Sequence, residues 1–66
     1  MKLTIKGWRA ERNMSQTELA DAVGTTQKTI STWENGVAPR LDDVEKLRKA
    51  LKLKVTDHII MPTDLT

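Results

Sequence analysis

Two short helical patterns in this chain are joined by only three residues, which begin with Gly24. The first pattern opens at residues 15–18 with the sequence SQTE. This is a capping box, in which the Ser15 hydroxyl accepts from the backbone of Glu18 and the Glu18 carboxylate accepts from the backbone of Ser15. The helix ends at residue 23, because glycine adopts the left-handed conformation that follows a helix without steric cost. A linker this short makes the two helices cross steeply.

The second pattern covers residues 27–34 and follows Thr25 and Thr26, either of which can cap its first turn. At about 100° per residue, Ile30 and Trp33 lie on one side of this helix. The other side is polar and carries Lys28, Ser31 and Thr32, with Gln27 at its edge. We therefore expect the apolar side in the core and the polar side in solvent.

Three further helices complete the predicted fold. One covers residues 4–13, and another covers residues 41–51. The inner side of the latter consists of Leu41, Val44, Leu47, Leu51 and the aliphatic stem of Arg48. A last short helix is capped by Thr56 and Asp57 and runs to residue 60, and residues 61–66 form a frayed tail. The predicted fold class is all-α: a single domain over residues 1–66, built as a compact bundle of about five short helices.

Composition excludes several classes of protein. The chain has 66 residues, no cysteine and one histidine, so packing alone must hold the core and a thiolate metal site is excluded. Because no nucleophile–base pair, paired-carboxylate pocket or phosphate-binding loop is present, we expect no enzyme, cofactor, metal or small-molecule substrate. No apolar run approaches the roughly 20 residues of a membrane span and no signal-peptide pattern is present, so we expect a cytoplasmic protein. A net charge of +2 permits a nucleic-acid partner without requiring one.

The order and spacing of several short motifs resemble those of a known family. The motifs are Ser15-Gln16-Thr17-Glu18-Leu19-Ala20, Val23-Gly24, Ile30, Trp33-Glu34-Asn35-Gly36, Pro39, and the series Leu47, Leu51, Val55 and Ile59. Residues 5–60 thereby resemble the Cro and phage-repressor type of helix-turn-helix domain, also called the xenobiotic-response-element family. The resemblance implies a lambda-repressor-like fold, with the helix-turn-helix at the second and third helices and the third helix in the major groove of DNA.

The resemblance also implies that the polar side of the third helix reads bases. A glutamine amide pairs with adenine N6 and N7, and a lysine ammonium donates to guanine O6 or N7, so Gln27 and Lys28 are the expected base contacts. Thr32, whose methyl group can contact a thymine, and Ser31 are further candidates. The alternative for each is an ordinary polar helix surface. Trp33 is expected in the core rather than as a base-stacking platform.

A second set of residues is expected at phosphates or at the minor groove. Gln16 stands at the start of the second helix, where free N–H groups attract a phosphate. Thr26, Asn35 and Arg40 flank the third helix, and Arg40 reaches either a phosphate or the minor groove. For Gln16, the alternative is a glutamine that is merely compatible with the first turn of a helix. For Arg40, the alternative is a loop arginine exposed to solvent.

Several other residues are expected to have structural roles rather than to contact DNA. By the same resemblance, Arg9 and Glu34 form a partly buried ion pair between the first and third helices. The chain departs from the family where Lys52 replaces a glycine at the end of the fourth helix and Arg40 replaces a serine or threonine cap. His58 is expected at the surface. Residues 59–61 either cover a dimer contact or fold back on the first helix, and the sequence does not choose between these.

The predicted function is that of a sequence-specific DNA-binding transcriptional regulator, a Cro-like or phage-type repressor. It is expected to bind double-stranded DNA at a palindromic operator as a weak homodimer, since two recognition helices read half-sites one helical turn, roughly 34 Å, apart. One alternative is the antitoxin of a toxin–antitoxin pair, which binds both DNA and toxin. The other is a protein-interaction module that has lost DNA binding.

Overall fold

The computed structural model describes residues 1–61 of the chain. These residues contain six short helices and strands. In order they are β1 (Lys2–Thr4), α1 (Ile5–Glu11), α2 (Gln16–Val23), α3 (Gln27–Glu34), α4 (Leu41–Ala50) and β2 (His58–Ile60). The frayed tail predicted at residues 61–66 lies outside the described residues, apart from Met61. None of the helices described is long and apolar enough to cross a membrane.

Side-chain caps start the first two helices. Thr4 Oγ1 accepts from the backbone N of Gly7 at 3.0 Å, which makes Thr4 the cap of α1 rather than its first residue. At α2, Ser15 Oγ accepts from the backbone N of Glu18 at 3.0 Å, and Glu18 Oε1 accepts from the backbone N of Ser15 at 2.9 Å. The predicted capping box is therefore confirmed, and with it the start of α2.

The turn between α2 and α3 also follows the prediction. Gly24 ends α2 in the left-handed conformation, with φ 88°. Thr26, rather than Thr25, caps α3, because its Oγ1 accepts from the backbone N of Thr29 at 3.2 Å. The bounds of α3 are those predicted. At α4, Arg40 occupies the cap position without a side-chain hydrogen bond, in agreement with the weaker cap expected there.

The predicted fifth helix is wrong, because residues 58–60 form β2 and pair in parallel with β1. The register aligns Lys2 with His58, Leu3 with Ile59 and Thr4 with Ile60. Asp57 caps a turn instead of a helix: its Oδ2 accepts from the backbone N of Lys54 at 3.0 Å. Within residues 1–61, the predicted all-α bundle of about five helices is thus four helices and a two-stranded sheet.

Within residues 1–61, nine buried apolar residues form the core, and all four helices contribute to it. They are Ile5, Trp8, Leu19, Ala20, Val23, Ile30, Trp33, Leu47 and Leu51. The prediction for the start of α4 is wrong, since Leu41 is 87% exposed. Burial increases along α4 toward its C-terminal end, since Leu41 is exposed, Val44 is half-buried and Leu47 is fully buried. Val55, in the turn before β2, is also exposed.

Two arginines hold the segment that follows α4. Arg12 Nε donates to the carbonyl oxygen of Leu51 at 2.8 Å, and its guanidinium lies 5.2 Å from the centre of the Trp8 ring. Arg48 donates from Nη1 to the carbonyl of Asp57 at 2.9 Å and from Nη2 to the carbonyl of Lys54 at 2.8 Å. The guanidinium of Arg48, and not only its stem, therefore has a structural role.

Candidate nucleic-acid interface

One side of α3 is apolar and buried, and the other is polar and exposed. Ile30 is fully buried and Trp33 is 7% exposed. Gln27, Lys28 and Thr32 are exposed. The packing of Ile30 and Trp33 against the core fixes the rotation of α3 about its axis, so the three polar side chains share a surface that faces solvent.

Hydrogen bonds within α3 and at its C-terminal end restrain the polar side chains of this surface. Thr32 Oγ1 donates to the carbonyl of Lys28 at 2.9 Å. Asn35 Nδ2 donates to the carbonyl of Ser31 at 2.8 Å and contacts Ser31 Oγ at 3.2 Å. Ser31 is half-buried. Its hydroxyl is thus engaged locally, and it is less available to a ligand than Gln27 or Lys28.

An ion pair joins α1 to α3 beneath this surface. Arg9 Nε donates to Glu34 Oε2 at 2.6 Å, and Arg9 Nη2 donates to Glu34 Oε1 at 3.1 Å. The two side chains are 15% and 5% exposed, respectively. Arg9 Nη1 also donates to the carbonyl of Met14 at 3.0 Å, just before the cap of α2. The guanidinium therefore contacts both α3 and the segment that leads into α2.

The surroundings keep both partners of this pair charged. Burial alone would raise the pKa of Glu34, but hydrogen bonds from Arg9 and Gln16 and the positive charges of Arg9 and Lys6 lower it on balance. The hydrogen bond to Glu34 raises the pKa of Arg9. At neutral pH the pair is a carboxylate and a guanidinium.

Gln16 and Gln27 extend this ion pair to the surface, a connection that the sequence analysis missed. Gln16 Nε2 donates to Glu34 Oε1 at 3.1 Å. Gln27 Nε2 donates to Gln16 Oε1 at 2.6 Å. Both glutamines occupy the first residue of a helix, and the short turn between those helices was the sequence signal that could have placed them together.

The residues expected at phosphates lie at the ends of helices. Thr26 caps α3 and is exposed, with its Oγ1 2.9 Å from Thr29 Oγ1. Asn35 is exposed at the C-terminal end of α3, and Arg40 is exposed at the start of α4. The structure brings Gln16 into contact with Gln27 and Asn35 into contact with Ser31. It gives Arg40 no side-chain bond at the α4 cap.

The four helices and the exposed polar side of α3 agree with a known family of proteins. The chain belongs to the helix-turn-helix family of the Cro and phage-repressor type, whose family model matches residues 5–58. The matched segment includes all four helices described above and ends at the first residue of β2.

Several named proteins are similar to the chain. An HTH-type transcriptional regulator of Archaeoglobus fulgidus is 38% identical over 61 residues, which cover 91% of this chain and 86% of that protein. The cryptic phage CTXphi transcriptional repressor RstR of Vibrio cholerae is 32% identical over 56 residues, which cover 83% of this chain and 50% of the repressor. An HTH-type transcriptional regulatory protein of Thermoplasma volcanium is 35% identical over 51 residues, or 77% of this chain and 16% of that protein.

The chain spans half or less of the length of the phage repressor and of the Thermoplasma protein. No solved structure matches the chain significantly.

Proposed function

We propose that this chain is a sequence-specific DNA-binding transcriptional regulator that acts as a repressor of the Cro or phage type. The observation that carries the proposal is the exposure of Gln27, Lys28 and Thr32 on the side of α3 opposite the buried Ile30 and Trp33. Membership of the helix-turn-helix family supports it, as do relatives named as transcriptional regulators and as a phage repressor.

In this proposal α2 and α3 are the helix-turn-helix, and α3 enters the major groove. Gln27 pairs with adenine and Lys28 donates to guanine, because their side chains carry the matching donors and acceptors. The hydroxyl of Thr32 is bonded to its own helix, so its methyl group is the part suited to contact a thymine. Ser31 is a secondary base contact, since its hydroxyl is shared with Asn35.

Contacts to phosphates or the minor groove would fix the position of α3. Gln16 and Thr26 lie at the N-terminal ends of α2 and α3, where unpaired N–H groups favour an anion. Asn35 and Arg40 flank the other end of α3 and are exposed. Such contacts supply affinity without sequence information.

We further propose that the chain acts as one domain and binds a palindromic operator as a weak homodimer. A single recognition helix reads about half of a typical site. Two copies with their α3 helices roughly 34 Å apart would occupy successive major grooves on one side of the duplex.

Selection from random duplexes at low salt, followed by sequencing, tests the proposal. The expected result is an enriched motif with two related half-sites. The variant Gln27→Ala should relax preference at one position in each half-site, with a loss of about 1–3 kcal/mol for the preferred base. Arg40→Ala is the comparison: it should weaken all sequences alike and reduce the salt dependence by about one phosphate contact. Absence of any enriched motif would refute DNA recognition and favour a protein-interaction module.

A further inference from the structure

We infer that the exposed side of α4 is a contact surface for a second copy of this chain, with the two α4 helices antiparallel. The inference rests on the proposed function, because it supplies a surface for the homodimer proposed there. The observations behind it are an exposed leucine at the start of α4, an exposed valine beyond its end, and the order of the charges between them.

Two apolar side chains lie at opposite ends of this surface. Leu41, the first residue of α4, is 87% exposed, and Val55, in the turn that follows α4, is 91% exposed. Val55 belongs to a shallow groove beside the C-terminal half of α4. The groove is lined by Glu45, Arg48, Lys49, Lys52, Leu53 and Val55. Leu41 is not among these residues, so it reaches such a groove only in a second copy.

The charges on the exposed side of α4 are ordered along the helix. Two acidic residues come first and three basic ones follow, the last just beyond the end of the helix: Asp42, Glu45, Lys46, Lys49 and Lys52. All five are exposed. Within residues 1–61, none of these side chains forms an ion pair. Their charges are therefore available to a second molecule.

An antiparallel arrangement of two α4 helices pairs these charges with their opposites. A parallel arrangement in register would instead set each charge against its own copy. About a twofold axis, Glu45 of one copy lies opposite Lys49 of the other, and Asp42 then lies opposite Lys52. Each contact occurs twice, as in any isologous interface. Exposed pairs of this kind add little affinity singly, but they select the orientation of the partner.

The same offset brings the apolar ends of the surface together. Leu41 of one copy lies opposite Leu53 of the other, beside Val55 in the groove. This contact removes Leu41 and Val55 of both copies from water. One side of a ten-residue helix is small beside the roughly 1,200–2,000 Å² of a stable interface, so the dimer is weak. None of the groove residues belongs to α3, which leaves its polar side unoccupied.

Sedimentation equilibrium of the full chain without DNA tests this surface. The unsubstituted chain should show a monomer–dimer equilibrium that weakens as salt is added, because salt screens exposed charges. Glu45→Lys and Lys49→Glu should each raise the dissociation constant about tenfold, since each sets like charges opposite one another. The double variant should return it to within about threefold. Asp21→Lys, at an exposed position of α2, is the control for net charge and should leave the equilibrium unchanged.

Two further measurements examine the orientation and the apolar contact. In an equimolar mixture of Glu45→Lys and Lys49→Glu chains, both charge pairs of the mixed dimer attract. The mixed dimer should therefore form in preference to the dimer of either variant alone. Leu41→Asn should also raise the dissociation constant about tenfold and leave the circular dichroism of the monomer unchanged, because the side chain is exposed there.

The outcomes separate the inference from the function on which it rests. A chain that stays monomeric at low salt would overturn the inference, and its capture by an acidic peptide such as polyglutamate would assign the groove to another protein. A dimer that the charge substitutions leave unaltered would overturn it as well and place the contact elsewhere, for instance at residues 59–61. If the expected dimer forms but duplex selection yields no motif, the proposed function fails while the surface on α4 stands.

Discussion

Trp8 Nε1 donates to the carbonyl oxygen of His58 at 2.9 Å, which joins α1 to β2 across fifty residues of sequence. The Trp8 side chain is fully buried, and the guanidinium of Arg12 lies over its ring. Trp8 thus contributes to the core with its ring and holds the small sheet with its nitrogen.

Trp8→Phe should therefore destabilise the fold by about 1–3 kcal/mol, since it removes the donor to the His58 carbonyl and some buried volume. Urea unfolding followed by circular dichroism measures the change. His58→Ala is the matched control, because the acceptor is a backbone atom and the imidazole is exposed. That variant should stay within about 0.5 kcal/mol of the unsubstituted chain. Equal effects of the two substitutions would contradict the role assigned to the indole nitrogen.

Two leucines of α4 should respond very differently to the same substitution. Leu47→Ala should cost about 2–5 kcal/mol, because Leu47 is fully buried in the core. In a domain of this size, which holds roughly 3–5 kcal/mol, that is most of the stability. Leu41→Ala should change the melting temperature by less than about 4 °C, since Leu41 is 87% exposed. A large effect of Leu41→Ala would mean that its side chain is covered, for instance in a dimer.

The end of α4 offers a stabilising substitution. Lys52 has φ 54°, a left-handed conformation that costs a residue with a side chain roughly 1–2 kcal/mol. Lys52→Gly should raise stability by about 0.5–1 kcal/mol, after the extra flexibility of glycine in the unfolded chain is subtracted.

Gly24→Ala makes the opposite change, since it adds a side chain at a left-handed position. Gly24 has φ 88°, and a Cβ there would meet no atom within 4 Å. Its cost of about 1–2 kcal/mol would come from the backbone alone. Thermal unfolding should therefore shift upward for Lys52→Gly and downward for Gly24→Ala. A downward shift for both would show that the left-handed turn after α4 carries no strain.

Acid should destabilise the fold through its carboxylates. The pKa of Glu18 is lowered by hydrogen bonds from the Ser15 backbone and hydroxyl, and the pKa values of Glu34 and Asp57 are also lowered. A carboxylate with a lowered pKa stabilises the folded state above its unfolded pKa, and this contribution is lost as the pH falls through the folded value.

The urea midpoint should thus fall as the pH drops from about 5 toward 3. Glu18→Ala should have its largest effect at neutral pH and a smaller one at low pH, because protonation already weakens the capping box in the unsubstituted chain. A midpoint that rises on acidification would contradict these shifts.

The helices could be predicted because their signals are local. The capping box of Ser15 and Glu18, and the glycine at residue 24, lie within a few residues of the ends they define. The spacing of Ile30 and Trp33 likewise gave the buried side of α3 directly. These features depend on backbone chemistry within one or two turns, which the sequence displays.

The sheet and the polar network could not be predicted in the same way. Each strand has three residues, too few for an alternating pattern, and its partner lies more than fifty residues away. Asp57 was misleading, because an aspartate that caps a turn and one that caps a helix look alike in sequence. The bonds that connect Glu34, Gln16 and Gln27 depend on how α2 and α3 cross, which composition and periodicity do not specify.

The parallel pairing of β1 with β2 bears on when the protein can finish folding during its synthesis. A ribosome adds roughly 5–20 residues per second, whereas helices form within microseconds. Residues 2–4 therefore wait for several seconds, until residues 58–60 have left the exit tunnel, before they gain a strand partner. Over that interval the indole of Trp8 lacks its carbonyl acceptor, so a nascent chain stalled before this point would carry an incompletely covered core.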